Sequence, residues 1–475
     1  MNTLPPFARL RNVHMIAVCG TGMGSLARLF VESGVAVTGS DQNVYPPMSE
    51  QLREIGVHIQ NGYQAAHVPL NTDLVVVGNV IRKDNLEVLG AEARGLPRAS
   101  LPQALFHYFM APRRRIVVTG THGKTTTTCL TVSLLEEAGL APSFFIGGVH
   151  QQFARSCRLG KGKQMVVEGD EYDSAFFDKQ PKFLHFRPHV AIVNPVEFDH
   201  ADIYRDEAAV VAAFKTMLSA MSADDLAVIF RDQRYFAALR GATPARVVSF
   251  GLHPTADWRA VDQVAGPAGM RFRLLHRGKE WGWLAARLSG RHNAMNAVAA
   301  AIVALEEGAS TRTISSAIAR FVGARRRLEE IGTVGGVTIV DDFAHHPTAI
   351  AATILACRGR YPGRKLWAVF EPRTASHRRN VFEPGLVDAL AMADQVVLAA
   401  PHRADEIAET ERFSSGRVVS AIAKKGVPAQ FIPDVSEIIG FLRVESRSGD
   451  LIVSMSNGDF GGLPRKLVAA LGAAQ

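Results

Sequence analysis

An apolar strand that runs into a glycine-rich loop and straight on into a helix leaves few folds open. Residues 116 to 138 have this order. Ile116-Val117-Val118-Thr119 is the strand, Gly120-Thr121-His122-Gly123-Lys124 the loop, and Thr125 to Ala138 the expected helix. Backbone N–H groups at such a turn, backed by the positive end of the helix dipole, cradle phosphate oxygens. In that setting Lys124 reaches the β- and γ-phosphates of a nucleotide and the Thr125 hydroxyl faces Mg²⁺. The standard loop carries Gly six residues before the lysine. Here that position is Val118, so the loop is a shortened variant. ATP and Mg²⁺ are therefore the expected ligands of Gly120, Thr121, His122, Gly123, Lys124, Thr125 and Thr126.

The same alternation extends along the chain. Ile16-Ala17-Val18 is expected as a strand, Gly20-Thr21-Gly22-Met23-Gly24 as a glycine-rich turn and Ser25 to Ser33 as a helix. A second strand, Val35 to Gly39, precedes Asp41, and a later one, Leu74 to Val77, ends at Gly78-Asn79. Ala111-Pro112 is a linker to the phosphate-loop unit, whose further strands lie near Met165 to Glu168, Val190 to Asn194 and Ala227 to Ile229, with a helix at Ala208 to Met221. A third unit opens near Gly323 to Arg327, with strands Val337 to Val340, Leu366 to Phe370, Val396 to Ala399 and Leu451 to Ser454. Strands alternating with helices predict an α/β protein with parallel sheets covered on both faces, three times over. The expected domains are 1–112, 113–324 and 325–475.

Composition agrees. A chain of 475 residues suggests roughly three domains of about 150 residues. With 47% hydrophobic residues it can build real cores, which excludes disorder, collagen and coiled coil. No apolar run approaches the ~20 residues of a membrane helix. The first residues lack a secretory signal pattern. Four cysteines, far apart and without a CxxC, fit a cytosolic, reducing compartment. The net charge of +8 comes from short clusters such as Arg113 to Arg115 and Arg325 to Arg327, without an aromatic-basic repeat. A small anionic substrate is expected rather than nucleic acid.

Five further segments carry chemistry. Glu168-Gly169-Asp170-Glu171-Tyr172-Asp173 puts four carboxylates at a strand end, where they repel unless cations or donors compensate. Glu168, nearest the strand, is the expected Mg²⁺ ligand. Asn194-Pro195-Val196-Glu197-Phe198-Asp199-His200 also follows a strand, and His200 is a candidate for a second metal. Asn293 opens an alanine-rich helix and by bare chemistry is its N-cap. Asp341 to Pro347 and Phe370 to Arg379 both follow strands of the third unit, and the arginines of the latter suit carboxylates. The N-terminal glycines misfit the full GxGxxG spacing, so NAD is not expected there.

Together these motifs resemble the Mur ligase superfamily, the ATP-dependent amide ligases of peptidoglycan synthesis, over almost the whole chain. The resemblance implies a Rossmann-like N-terminal domain, a central P-loop ATPase domain and a Rossmann-like C-terminal domain. It implies that Gly22, Met23, Asp41 and Asn79 contact a UDP-sugar, that Asn293 reads adenine, and that Arg327 and Asp342 close over ATP. Glu168 and His200 match metal ligands, and Lys215 stands at the spacing of a carbamylated lysine that bridges the metals in some relatives. His345 would handle or orient a proton, and Arg373, Ser376, Arg378 and Arg379 would hold peptide carboxylates. Glu171 to Lys179, Glu197 to Asp202, Asp341 to Pro347 and Met455 to Gly462 favour one branch. That branch joins L-Ala-γ-D-Glu-meso-diaminopimelate to UDP-N-acetylmuramate through an acyl phosphate, in murein peptide recycling. The branch that adds L-alanine usually has Ser where Tyr172 stands and Tyr-Gly where Phe343-Ala344 stands. Gly169, Pro195 and Asp459 depart from the usual Ala, Asn and Gly, the first of them harmlessly by sequence. The implied partners are UDP-N-acetylmuramate and the murein tripeptide, with no nucleic acid or membrane and no implication for oligomeric state.

Overall fold

The computed structural model describes residues 3–45, 48–199, 201, 203–373, 379–401 and 409–472. They divide into two compact units: Met1–Glu197 with Ala208–Phe250 and Ala299–Ile314, and Phe198–Glu207 with Gly251–Val298 and Ser315–Gln475.

The first unit opens with β1 (Asn12–Ile16), α1 (Thr21–Glu32), β2 (Ala36–Asp41), α2 (Met48–Glu54), β3 (His58–Asn61), β4 (Leu74–Val77), α3 (Leu86–Ala93), β5 (Arg98–Ser100) and α4 (Leu101–Leu105). The strands form a parallel sheet in the order β3-β2-β1-β4-β5. Every residue of β4 is buried, as expected of a parallel strand covered on both faces. The expected strand at Ile16 to Val18 is corrected: β1 ends at Ile16 because Ala17 adopts φ 66°. The N–H groups of Ala17 and Val18 then both donate to the Ser40 carbonyl, at 2.8 and 3.0 Å. The expected glycine turn is corrected too. The helix begins at Thr21, so Gly22, Met23 and Gly24 form its first turn.

A second sheet follows, built from β6 (Arg114–Thr119), α5 (Lys124–Glu137), β7 (Ser143–His150), β8 (Arg155–Arg158), β9 (Gln164–Glu168), the hairpin β10 (Asp173–Ala175) and β11 (Asp178–Pro181), α6 (Lys182–Phe186), β12 (Val190–Val193), α7 (Glu207–Ser219), β13 (Leu226–Phe230), α8 (Phe236–Arg240) and β14 (Arg246–Gly251). Its order is β14-β13-β12-β6-β9-β7-β8, parallel except for the antiparallel edge strand β8. Strand β6 sits between β12 and β9, with Thr119 beside Val193 and Val118 beside Glu168. Three carboxyl ends are therefore level, and chemistry in such sheets gathers at that edge.

In the second unit an antiparallel meander unmarked by the sequence reading comprises β15 (Trp258–Gly266), β16 (Gly269–His276) and β17 (Lys279–Ala286). Next in the chain come α9 (Arg291–Glu306) and α10 (Thr311–Arg320). The last sheet contains β18 (Glu329–Val334), β19 (Val337–Asp342), β20 (Leu366–Phe370), β21 (Gln395–Leu398), β22 (Ala429–Phe431) and β23 (Leu451–Met455), ordered β18-β19-β23-β20-β21-β22. Only β18 is antiparallel. Side chains alternate between its faces. Val340, Ala368 and Phe370 pack with Ile350 and Ile354 of α11 (Pro347–Arg360), Leu386 of α12 (Glu383–Leu390) and Ile422 of α13 (Ser415–Lys424). Ile339, Trp367 and Val369 pack with Ile438 and Leu442 of α14 (Val435–Glu445) and Leu467 of α15 (Leu463–Gly472). Among the described residues, no helix is long and apolar enough to cross a membrane.

Candidate active site

The loop between β6 and α5 is fixed from both sides. Gly120 has φ 116°, and a Cβ there would lie 2.8 Å from the Asn194 Cβ and 2.9 Å from its carbonyl oxygen, so only glycine fits. Gly123 caps α5 at φ 77°, and the first-turn N–H groups of the helix have no acceptor within it. The N–H of Thr121 donates to the Pro195 carbonyl at 2.8 Å. Its hydroxyl exchanges hydrogen bonds with the Glu197 backbone, donating to O at 2.9 Å and accepting from N at 3.0 Å. His122 Nε2 lies 3.1 Å from a Glu197 carboxylate oxygen. The loop thus rests on the segment after β12. The backbone of Thr126 is the third position of α5, and its side chain is buried.

Lys124 Nζ donates to the carbonyls of Gly120 at 2.7 Å and Thr121 at 3.4 Å, and to Glu171 Oε2 at 2.8 Å. The pair is nearly closed to solvent, with side chains 13% and 3% exposed. Burial opposes the ammonium charge, but Glu171, then Asp170 and Glu168, outweigh it and hold the Lys124 pKa above its ordinary value. Thr125 donates its hydroxyl hydrogen to Glu168 Oε1 at 2.8 Å, and the Gly147 N–H donates to Oε2 at 2.8 Å. The Thr125 hydroxyl beside the Glu168 carboxylate is a hard oxygen donor set of the kind that Mg²⁺ takes. Tyr172 stays protonated far above its usual range because it is buried and faces Asp170.

Near the first sheet, Asp41 is buried and its carboxylate is committed to backbone donors, the N–H groups of Cys19 and Asn43, each at 2.9 Å. Met23 is buried in α1, and a Cβ on Gly22 would approach Leu101 Cδ1 to 3.0 Å. Asn79, exposed at the end of β4, lines a cavity of about 430 Å³ together with Arg82, Lys83, Phe176 and Lys179. Lys215 is exposed on α7, whose buried face carries Val211, Phe214 and Leu218.

In the second unit, Arg327 stacks its guanidinium 4.5 Å from the Phe343 ring. Asp342 accepts from the Leu328 N–H at 2.7 Å and the Ala344 N–H at 2.8 Å. His345 Nδ1 lies 3.0 Å from the Phe343 carbonyl and its Nε2 3.7 Å from Asp199. Arg373 lies 3.5 Å from both Glu371 and Asp459, so the departure at 459 supplies an ion-pair partner. Arg379 pairs with Glu411. The reading of Asn293 as an N-cap is corrected. It is the third residue of α9, donates to the Ser289 carbonyl at 2.8 Å and accepts from Asn296 at 3.1 Å.

In the first unit, then, the fold brings Lys124, Thr125 and Glu168 together, while Asn79 and Asp41 sit at the first sheet. His200, Ser376 and Arg378 lie outside the described residues. Sequence reasoning missed Glu171 as the counter-ion of Lys124 and Glu197 as the support of the loop. Nothing in a run of four carboxylates distinguishes the one that turns inward to Lys124.

Known proteins give this geometry its context. Residues 12–111 match the Mur ligase family catalytic domain, 118–304 the Mur ligase middle domain and 326–458 the Mur ligase glutamate ligase domain. The chain is 36% identical to the UDP-N-acetylmuramate–L-alanyl-γ-D-glutamyl-meso-2,6-diaminoheptandioate ligase of Escherichia coli, over 97% of this chain and 98% of that protein. It is 35% identical to the UDP-N-acetylmuramate–L-alanine ligase of Xanthomonas campestris, over 96% and 94%. The crystal structure of a murein peptide ligase from Psychrobacter arcticus superposes with a TM-score of 0.73 at 34% identity, covering 97% of this chain and 99% of the other. With this agreement along the whole sequence and a phosphate loop set at the level ends of three parallel strands, the chain belongs to the Mur ligase family, with its three-domain α/β fold, and is an ATP-dependent amide-bond ligase.

Proposed function

We propose that this enzyme joins L-Ala-γ-D-Glu-meso-diaminopimelate to UDP-N-acetylmuramate in the cytoplasm, as a step of murein peptide recycling. The observation that carries this reading is the end-to-end similarity to the Escherichia coli ligase named for that tripeptide. Tyr172 supports it, since L-alanine-adding relatives usually have Ser there. The functional division of the chain follows as 1–112 for the UDP-sugar, 113–324 for ATP and 325–475 for the peptide.

A carboxylate is a poor electrophile, and phosphorylation corrects that. The lactyl carboxylate oxygen of UDP-N-acetylmuramate attacks the γ-phosphorus, the bond to the β-phosphate oxygen breaks and ADP leaves. The tripeptide amine then attacks the acyl carbon, loses a proton, and phosphate departs with the bonding electrons. Lys124 and the loop N–H groups hold the transferring phosphoryl group, a task of positioning and charge stabilisation. Thr125 and Glu168, with His200, would hold Mg²⁺, which would supply positive charge against the phosphates when bound. Arg327 brings a further cation and Asn293 and Asp342 hold the nucleoside. His345 orients a proton at the amine, while Arg373, Arg378, Arg379 and Ser376 bind peptide carboxylates. Exclusion of water protects the acyl phosphate.

The paired acceptor assay tests this reading. With ATP and UDP-N-acetylmuramate present, the tripeptide should drive phosphate release at least tenfold faster than free L-alanine. The reverse ranking would replace it with the L-alanine ligase reading, which the similarity to the Xanthomonas campestris enzyme favours.

A further inference from the structure

An ammonium group has three N–H donors, and all three of Lys124 point at protein acceptors, the carbonyls of Gly120 and Thr121 and the carboxylate of Glu171. A triphosphate gripped by Lys124 must take over one of these bonds. Glu171 is the anion among the three, so it competes with phosphate for the same charge. It is only 2% exposed, and an ionised carboxylate so buried cannot lose its partner without finding another.

Glu171 belongs to a firmly built segment. Just before it, Asp170 pairs with Lys182 at 3.4 Å, and the Lys182 ammonium lies 3.9 Å from the centre of the Tyr172 ring. Just after it, Asp173 pairs with Pro181 and Ala175 with Asp178 in the β10–β11 hairpin. At the hairpin tip, Phe176 and Phe177 stand edge to face at 5.0 Å and pack against the cluster of Ile16 in β1, Val77 in β4 and Ile81 in the loop after β4. The Arg98 guanidinium lies 4.9 Å from the Phe177 ring, and the Ser100 hydroxyl donates to Asp178 at 2.8 Å. Phe176 and Lys179 also wall the cavity at the end of β4. One short segment therefore touches the phosphate-loop lysine at its base and lines the cavity at its tip.

We propose that Glu171 is a positioning residue that cedes Lys124 to the triphosphate, and that the β10–β11 hairpin carries this exchange to the cavity, so that nucleotide and UDP-sugar each tighten the binding of the other. This rests on reading Lys124 as the grip on ATP and the cavity as part of the UDP-sugar site. The physical basis is a choice between two partners for one buried charge. A ligand that favours the hairpin with Glu171 released lowers the cost of taking Lys124, and linkage makes the effect reciprocal.

Calorimetric titration of the full chain with a non-hydrolysable ATP analogue and Mg²⁺, with and without UDP-N-acetylmuramate, tests the proposal. For the wild type, UDP-N-acetylmuramate should tighten the analogue by about fivefold or more. Glu171→Gln removes the competing charge, so the analogue alone should bind severalfold tighter and the tightening by UDP-N-acetylmuramate should fall towards onefold. Glu171→Asp should restore part of it. Phe177→Leu, at the tip, should leave binding of the analogue alone unchanged and weaken the linkage. The proposal is overturned if the wild type shows no linkage, if Glu171→Gln keeps all of it, or if Glu171→Gln binds the analogue more weakly. Absence of analogue binding to the wild type would instead sink the reading of the loop itself.

Discussion

The carboxylate of Asp342 accepts the N–H of Leu328 at 2.7 Å and so closes the turn that carries Arg327. Arg326 and Leu328, on either side, have φ of 58° and 51°, a region that costs side-chain-bearing residues roughly 1–2 kcal/mol each. The Arg326 N–H donates to Glu329 at 2.7 Å, its carbonyl accepts from the Phe343 N–H at 2.8 Å, and the Arg327 guanidinium rests on the Phe343 ring. Asp342 also accepts from the Thr353 hydroxyl at 3.1 Å. Asp342→Ala strips the acceptor from buried donors and should cost about 2–3 kcal/mol of stability. It should also lower kcat/KM on the order of a hundredfold, close to Arg327→Ala. Chemical denaturation with phosphate-release kinetics checks both, and a folded Asp342→Ala enzyme with wild-type turnover would refute the role of the turn.

Lys124→Met should reduce phosphate release by at least a factor of about 100–1,000, the usual loss when a preorganised charge on a transition state is removed. It also strands Glu171 without its cation, at a cost of about 3–5 kcal/mol. Combining it with Glu171→Gln should recover much of the stability and none of the turnover. Thermal melts and a coupled phosphate assay on both variants separate the two effects.

Gly169→Ala should destabilise the enzyme by about 1–3 kcal/mol, the range for overpacking a filled core. The sequence reading took the exchange with the usual Ala as harmless. In the structure an added Cβ would lie 2.8 Å from Val117 Cγ1, 2.9 Å from Thr119 Cγ2 and 3.1 Å from the Phe183 Cβ. Val117→Ala in the same chain should remove part of the penalty, which a double-mutant cycle by urea denaturation would measure.

Asp341 gives the stability a pH dependence of known sign. Burial raises its pKa from 3.8 to about 6; Arg326 at 3.3 Å opposes the shift, while Asp342 and Glu329 add to it. The folded state therefore holds a proton that the unfolded chain has lost between pH 3.8 and about 6. The contribution of Asp341 to stability falls as pH rises through this window and is constant above it. Asp341→Asn should flatten the melting temperature between about pH 4 and 6 relative to the wild type. An unchanged difference between the two proteins across that window would contradict the assignment.

Glu168→Gln should leave the Thr125 hydroxyl in place while removing the negative charge beside it. The Mg²⁺ concentration for half-maximal activity should rise about tenfold or more. Chelation of divalent cations should stop turnover in both proteins without unfolding either, as circular dichroism would show.

The strand–loop–helix around Lys124 was legible because its signals are local. Glycines, lysine and hydroxyls within a few residues must follow a strand and open a helix, and β6 and α5 do so within a residue or two of their expected bounds. The parallel sheets were legible from continuous apolar runs such as Leu366 to Phe370, wholly buried as read. The N-terminal turn was displaced because glycines inside a helix and glycines in a turn look alike in sequence; the left-handed backbone of Ala17 takes the turn instead. The meander of residues 258–286 escaped notice because its strands are half exposed, with no unbroken apolar core.

The sequence by itself determined the fold class, the family and the strand–loop–helix of residues 114–137, since helix initiation and strand burial depend on neighbours close in the chain. Only the tertiary structure decided which charges meet. Lys124 and Glu171 are 47 residues apart, and Leu328 and Asp342 are 14 apart across a turn. A carboxylate's partner is set by the level ends of parallel strands and by burial, which make an unmatched charge too costly to keep. Strand order and register fix both, and neither is written in any local run of residues.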